Sequence, residues 1–310
     1  MKPTLSIIIL SFNTKEILKN CIDSIFRNDH RLDFSNKKLA ANNEDLIPAE
    51  LIIVDNGSLD GSVEYLKKLK NKKKDNLKVI FNKKNLGFGR ANNQAMKICK
   101  GEYILLLNSD TVVFDAAISQ TLLWLSTHPE YDVVGCKLLN PDKTDQDSVA
   151  KFPNLVTTFS MLFLDRLIKG IRTMSSPQKI QYVDWIMGAF MLLRKDVFRQ
   201  TGGFDEKYFM YMEEVEWCYR ISQKKLNIGF YPNARIIHLG GKSSSSRTEP
   251  IINIFNGLIY FYKKHKKPFE LILLKLMLNI KAVTSYFIGV LKNDEYLKKT
   301  YRHALAVTNQ

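Results

Sequence analysis

Four short apolar runs punctuate the first third of the chain: LSIIILSF (5–12), ELIIVD (50–55), LKVIFN (77–82) and YILLLN (103–108). Each has strand length, is rich in β-branched residues or leucine, and ends on turn-forming residues, so each predicts a buried strand. The segments between them change period. TKEILKNCIDSIFRN sets Ile17, Leu18, Cys21, Ile22, Ile25 and Phe26 on one helical face, GSVEYLKKLK follows Asp60 as a possible cap, and ANNQAMKICK follows a glycine loop. Strands alternating with helices in this way predict an α/β fold with a doubly wound, mostly parallel sheet and helices on both faces. Ligands of such sheets bind beyond the carboxyl ends of the strands. Here those ends read Ser11-Phe12-Asn13, Asp55-Asn56-Gly57-Ser58, NLGFGR and Asn108-Ser109-Asp110. In LLLNSDTVV an apolar strand stops on a carboxylate and resumes. Asn-Ser-Asp favours a turn, and the same turn delivers a charge to the ligand edge.

Beyond residue 113 the pattern predicts a helix (114–128), a strand (132–140) and a less regular stretch to residue 180. VDWIMGAFMLLR (183–194) reads as one strand, MEEVEWCYRISQKK as an amphipathic helix, and IGFYP and ARIIHLGG as two short strands. The SSSS break closes a first domain at residue 245, and residues 246–310 read as a helical tail. PFELILLKLMLNIKAVTSYFIGVL (268–291) is long enough to span a bilayer, but Glu270, Lys275 and Lys281 interrupt it. Amphipathic helices packed on the domain or lying at a membrane interface fit it better than a span.

A hydrophobic content of 45% with 25% charged residues describes a globular chain with a substantial core, and the net charge of +15 calls for an anionic partner. No zinc-finger spacing, aromatic ribonucleoprotein pattern or basic heptad accompanies that charge. The acids at 205, 206, 213, 214 and 216 also oppose a basic groove, so nucleic acid is not an expected partner. Cys21, Cys99, Cys136 and Cys218 form no CxxC pair and read as reduced, buried thiols of a cytoplasmic protein. The apolar start is too short for a signal peptide.

Taken in order, SIIILSFN, LIIVDNGSLDGS, NLGFGRANNQAM, YILLLNSDTVV, the block from VDWIMGAF to MEEVEWCYR, and YPNARIIHLGG resemble glycosyltransferase family 2, the inverting enzymes of GT-A fold. They are most similar to bacterial rhamnosyltransferase-type members that build surface polysaccharides such as O-antigen and capsule. The resemblance covers residues 4 to about 245.

That resemblance implies a nucleotide diphosphate sugar donor, with dTDP-rhamnose favoured and a UDP-hexose suiting the same motifs. It implies a saccharide acceptor, carried on a polyprenyl diphosphate at the cytoplasmic face of the inner membrane. Asp110 matches the family's DxD metal motif, in which Asn108 stands where an aspartate is usual. With His238 it would hold a divalent cation, Mn2+ or Mg2+, at the diphosphate, and Lys242 and Arg247 would add charge there. Glu214 matches the family's general base, with Glu in the place of the more frequent Asp, and Glu213 is its alternate or orienting neighbour. Asp55, Asn13 and Arg90 match the nucleoside-binding positions, and Trp185, Gly188 and Ala189 lie in the acceptor-side segment. The missing carboxylate at 108 leaves a second reading open, a nucleotide-sugar-binding protein without turnover.

Overall fold

The chain opens with β1 (Leu5–Ser11), α1 (Lys15–Asn28), β2 (Leu32–Asp33), β3 (Ile47–Asp55), α2 (Ser62–Lys72), β4 (Leu77–Phe81), α3 (Phe88–Ile98) and β5 (Tyr103–Asn108). The computed structural model describes residues 3–35, 46–72, 76–165, 172–240 and 248–308. β1 pairs in parallel with β3 and β5, and β3 with β4. Its isoleucines are buried on both faces of the sheet, as a strand flanked by helices requires. Register sets Ser11 opposite Asp55 and Leu10 opposite Asn108, which brings the polar strand ends to one edge. Asp60 tethers two helix starts there, accepting from the backbone N–H of Ser62 (3.1 Å) and of Lys15 (2.8 Å).

The chain continues through β6 (Thr111–Val113), α4 (Ala117–Thr127), β7 (Val133–Leu139), β8 (Asp145–Gln146), β9 (Val149–Ala150), α5 (Leu155–Phe159) with a π-helical turn at Ser160–Leu164, β10 (Met174–Ser175) and β11 (Gln181–Tyr182). It then forms β12 (Trp185–Ile186), β13 (Phe190–Arg194), α6 (Lys195–Thr201), α7 (Glu213–Gln223) and β14 (Ile228–His238). The main sheet runs β11-β14-β7-β13-β5-β1-β3-β2, with β4, β6 and β8 attached at β3, β14 and β7. β13 enters antiparallel to both β5 and β7.

Two expectations about this half need correction. Residues 183–194 form two strands rather than one, because β12 pairs with β9 in a separate small sheet while β13 joins the main one. The two short strands expected near residue 230 are one strand, β14, whose bulge between Tyr231 and Arg235 absorbs Pro232.

Helices α8 (Thr248–His265), α9 (Pro268–Leu291) and α10 (Glu295–Thr308) share a core of Phe255, Phe261, Tyr262, Leu274, Leu278 and Tyr301. Glu216 ties α7 to α8. Its fully buried carboxylate accepts from Arg220 Nε (2.9 Å), Lys264 Nζ (2.8 Å) and His265 Nε2 (3.0 Å). Lys264 also reaches Asp205 at 2.6 Å, and the Arg220 guanidinium reaches the backbone oxygens of Thr201 and Gly203. All four thiols are free and buried, and burial pushes Cys21 and Cys218 up to about 12 and raises Cys99 and Cys136 as well.

Candidate active site

The ends of β1, β3 and β5 open onto a cleft of about 320 Å³ lined by Phe12, Asn13, Asn56, Gly87, Asn108 and Asp110, with residues 209–211 opposite. Asp55 is buried beneath it. Its Oδ1 accepts from the backbone N–H of Gly57 (3.2 Å) and Ser58 (3.0 Å), while Oδ2 is buried with no partner among the described residues. Asn13, in left-handed backbone at φ 53°, accepts from Leu59 N–H at 2.8 Å and donates its own N–H to Ser58 Oγ at 2.9 Å. It therefore locks the loop after β1 to the loop after β3.

Sequence reasoning missed Asn56, which reads as half of an Asn-Gly turn. Its Oδ1 accepts from Asn82 Nδ2 (3.0 Å) and Leu86 N–H (3.1 Å), and its Nδ2 donates to Asn85 Oδ1 (2.8 Å). One buried amide thus shapes the glycine loop. Gly87 completes the loop at φ 86°, and a Cβ there would lie 2.4 Å from the Phe209 carbonyl oxygen. Arg90 lies elsewhere. It is exposed on α3, 3.5 Å from the Glu206 carboxylate, and is not among the residues lining the cleft.

The turn after β5 brings Asp110 to His238, the last residue of β14. Asp110 Oδ1 stands 3.3 Å from His238 Nε2, both residues are nearly buried, and the Asp110 carbonyl accepts from Leu239 N–H at 2.8 Å. The other ring nitrogen, Nδ1, donates to Gln146 Oε1 at 2.7 Å, because the Gln146 amide nitrogen is committed to Asn140 Oδ1 at 3.0 Å. This fixes the ring so that Nε2 faces the carboxylate. Asn108 lines the cleft and is held by its backbone, N–H to the Ala189 carbonyl at 3.1 Å. Lys242 and Arg247 lie outside the described residues.

The acids stand at the start of α7. Tyr211 and Met212 precede them in left-handed backbone, at φ 69° and 72°, which costs non-glycine residues of order 1–3 kcal/mol each. Glu213 is buried and Glu214 half-buried, and each has an Oε2 with no partner among the described residues. Burial raises both carboxyls, Glu213 furthest because the Glu214 charge adds to it. Gly188 sits between the Phe88 ring and Glu214, where a Cβ would be 3.4 Å from the first and 3.9 Å from the second. Trp185 is half-buried and donates to the Lys151 carbonyl at 3.1 Å, and Ala189 is buried. None of Trp185, Gly188 and Ala189 lines the cleft itself.

α8 supplies the last wall through Glu249 and Asn253. Tyr211 registers how acidic the surroundings are: burial raises its phenol, and the charges of Glu213, Glu214, Glu249 and Asp110 add to that. A polyanion meets repulsion in such a place unless a cation accompanies it. Among the described residues no group of three or more His, Cys, Asp and Glu is placed to hold a metal. The Asp110 and His238 pair offers one oxygen and one nitrogen, a partial set that fits a divalent cation completed by ligand oxygens.

Residues 6–202 match the family model described as Glycosyl transferase family 2. Rhamnosyltransferase WbbL of Escherichia coli (strain K12) is 30% identical over 164 residues, 49% of this chain and 60% of that protein, so under two thirds of that relative is spanned. The N-acetylglucosaminyl-diphospho-decaprenol L-rhamnosyltransferase of Mycobacterium tuberculosis (strain ATCC 25618 / H37Rv) is 26% identical over 220 residues, 66% of this chain and 70% of that protein. Among solved structures, the mannosyltransferase PcManGT from Pyrobaculum calidifontis in complex with GDP-Man and Mn2+ has a TM-score of 0.55 at 14% identity, covering 100% of this chain and 85% of that one. GalNAc-T7 with UDP, GalNAc and Mn2+ has a TM-score of 0.57 at 18% identity, covering 84% and 50%. These likenesses establish a shared fold.

Proposed function

The chain belongs to glycosyl transferase family 2 and is a glycosyltransferase, and from that premise we propose that it transfers L-rhamnose from dTDP-rhamnose, with inversion, to a saccharide acceptor. The observation that carries the reading is the meeting of Asp110, which lines the cleft, with His238 at 3.3 Å, while Glu213 and Glu214, each with one buried oxygen unpartnered among the described residues, follow in sequence just after residues 209–211 of the opposite wall. Asn13, Asp55 and Asn56 form the nucleoside end. Glu214 takes the proton of an acceptor hydroxyl, the hydroxyl oxygen bonds to the anomeric carbon, and the bond from that carbon to the diphosphate breaks on the opposite face. The electron pair leaves with the nucleoside diphosphate. A divalent cation held by Asp110 and His238 would supply positive charge to that leaving group. The Mn2+ in the names of two structural neighbours agrees with this donor set.

The test is a panel of dTDP-rhamnose, UDP-hexoses and GDP-mannose, each with Mn2+ or Mg2+, read as transfer and as thermal stabilisation. dTDP-rhamnose should give both, and transfer only from a UDP-hexose would replace the donor assignment. Glu214→Gln should lower kcat by about 10²–10⁴ with donor affinity unchanged. Undiminished turnover would remove Glu214 from the role.

The acceptor is a lipid-linked saccharide, as the name of the mycobacterial relative indicates for that protein. Among the described residues one helix, Pro268–Leu291, is long and apolar enough to cross a membrane by length and composition. Phe269, Ile272, Leu276, Ile280, Val283 and Phe287 recur at spacings of three and four and are exposed, while Leu274, Leu278 and Ala282 are buried against α8 and α10. A helix packed on one side and apolar on the other suits the interface of an anionic cytoplasmic leaflet, with Lys266, Lys267 and Lys292 at its ends. Binding to phosphatidylglycerol vesicles should fall in an Ile272→Glu/Phe287→Glu variant. Equal sedimentation of variant and wild type would sink the interface.

A further inference from the structure

Gln146, which fixes the His238 ring, stands on β8, a strand of two residues attached to β7. β8 pairs with β7 through Leu138 with Gln146 and Leu139 with Asp145, and β14 lies along the other side of β7 with Ile236 beside Leu138 and Ile237 beside Leu139. Successive strand residues point to opposite faces, so Gln146 shares a face with Leu138, Ile236 and His238, and Asp145 takes the reverse face. A cavity of about 600 Å³ on that reverse face is lined by Lys137, Leu139, Asp145 and Ile237, the alternate residues of the same three strands.

Three side chains from separate segments close a triangle there. Lys137 Nζ donates to Asp145 Oδ2 at 3.2 Å and to Gln178 Oε1 at 2.6 Å, and Gln178 Nε2 donates to the same Asp145 oxygen at 2.7 Å. Lys137 is buried, so its ammonium depends on these two oxygens, whereas Asp145 and Gln178 are exposed. Removing one partner of a buried charge costs far more than removing one of a surface pair, so the triangle holds Asp145 to one position. The turn before β8 adds a second anchor, since Asn140 N–H donates to the Thr144 carbonyl at 2.9 Å and Asn140 Nδ2 to the Asp145 carbonyl at 3.3 Å. One residue on, Gln146 accepts from His238 Nδ1 at 2.7 Å, and its amide nitrogen reaches Asn140 Oδ1 at 3.0 Å and the His238 carbonyl at 3.3 Å. The geometry points to Asp145 as a positioning residue: with Lys137 and Gln178 it fixes β8 so that Gln146 holds His238 Nε2 toward Asp110 and a cation bound there. The inference rests on the proposed cation at Asp110 and His238, and it carries the support of that pair through to the reverse face of the sheet.

The test is Mn2+ binding to the full chain, read by water-proton relaxation with Mn2+ as the only ligand, beside Tm measured in EDTA. Asp145→Ala should weaken Mn2+ binding by about tenfold or more, and Asp145→Asn, which retains an acceptor oxygen, should return it to within about threefold of the wild type. Gln178→Ala, at an exposed position, should act in the same direction by a smaller factor, and it supplies the measurement if Asp145→Ala does not fold. The effect should vanish once Gln146 is gone: in a Gln146→Ala background, Asp145→Ala should add less than about twofold, because residues of one network are not additive. Mn2+ affinity unchanged in Asp145→Ala and Gln178→Ala, whatever their Tm, would leave the triangle a structural role only and overturn the inference. Fully additive losses in the double variant would overturn the route through Gln146. Failure of the wild type to bind Mn2+ would instead overturn the cation reading itself, so the two failures are distinct.

Discussion

Two neighbouring glutamates at the start of α7 differ in surroundings, and that difference is measurable. Burial raises both carboxyls, so kcat/KM should climb with pH along a limb displaced above about 4.3, the ordinary glutamate value. A limb at the ordinary value would mean the base is solvated. The same shift has a stability counterpart. Because the folded form holds these protons more tightly than the unfolded one, the native state is favoured most below the ordinary range and loses stability as pH rises toward the folded value. Glu213→Gln should therefore raise Tm at pH 7 and leave it nearly unchanged at pH 4, checked by thermal denaturation at both. Gln146 offers a second check. Gln146→Ala removes the oxygen that fixes the His238 ring, and Mn2+ binding read by water-proton relaxation should weaken by about 10–100-fold, while Gln146→Glu retains an acceptor and most of the affinity. At this scale Asp110 drew notice in the sequence because a carboxylate ending an apolar strand is conspicuous, whereas His238 and the acid pair were singled out only through the family resemblance. Gln146 and Asn56 were not, because their roles come from partners far along the chain, 92 and about 30 residues away.

Among the elements, the glycine loop before α3 and the segment before α7 hold each other in place: Phe88 N–H donates to the Phe209 carbonyl at 2.8 Å, directly beside Gly87. Gly87→Ala introduces both an unfavourable φ and a contact with a backbone oxygen that cannot move aside. It should cost about 1–3 kcal/mol in urea unfolding and raise donor KM, whereas a neutral result would mean the wall is loosely held. The first four strands and their helices were legible because period-based patterns are local, and apolar runs flanked by amphipathic helices have few alternatives. The division of residues 183–194 was not legible. Its apolar pattern is continuous, and only the partners, β9 on one side and β5 on the other, decide where one strand ends and the next begins. β14 failed in the opposite sense, since Pro232 reads as a break and the sheet accommodates it as a bulge.

Across the whole molecule, the C-terminal helices are joined to the site through Glu216 and Asp205. Burial alone would raise the Asp205 carboxyl, but hydrogen bonds from Lys264, the Lys207 backbone and Tyr260 outweigh it and hold the carboxyl low. That contribution is present at neutral pH and is lost as pH falls through the folded-state value. Lys264→Ala leaves the buried Glu216 carboxylate without one of its cations and should destabilise the fold by about 3 kcal/mol, measured by denaturant titration. A loss under 1 kcal/mol would show that Arg220 and His265 suffice. The packing of α8 against α7, and its supply of Glu249 and Asn253 to the cleft, could not be read from a tail whose sequence shows only an apolar face. The four buried thiols carry a practical consequence for spectroscopy. With burial raising every one of them, none presents thiolate near neutral pH. A single cysteine introduced at Ile272 would then be the only site to take a maleimide spin label, and the depth of α9 in a bilayer could be measured without first removing any native residue.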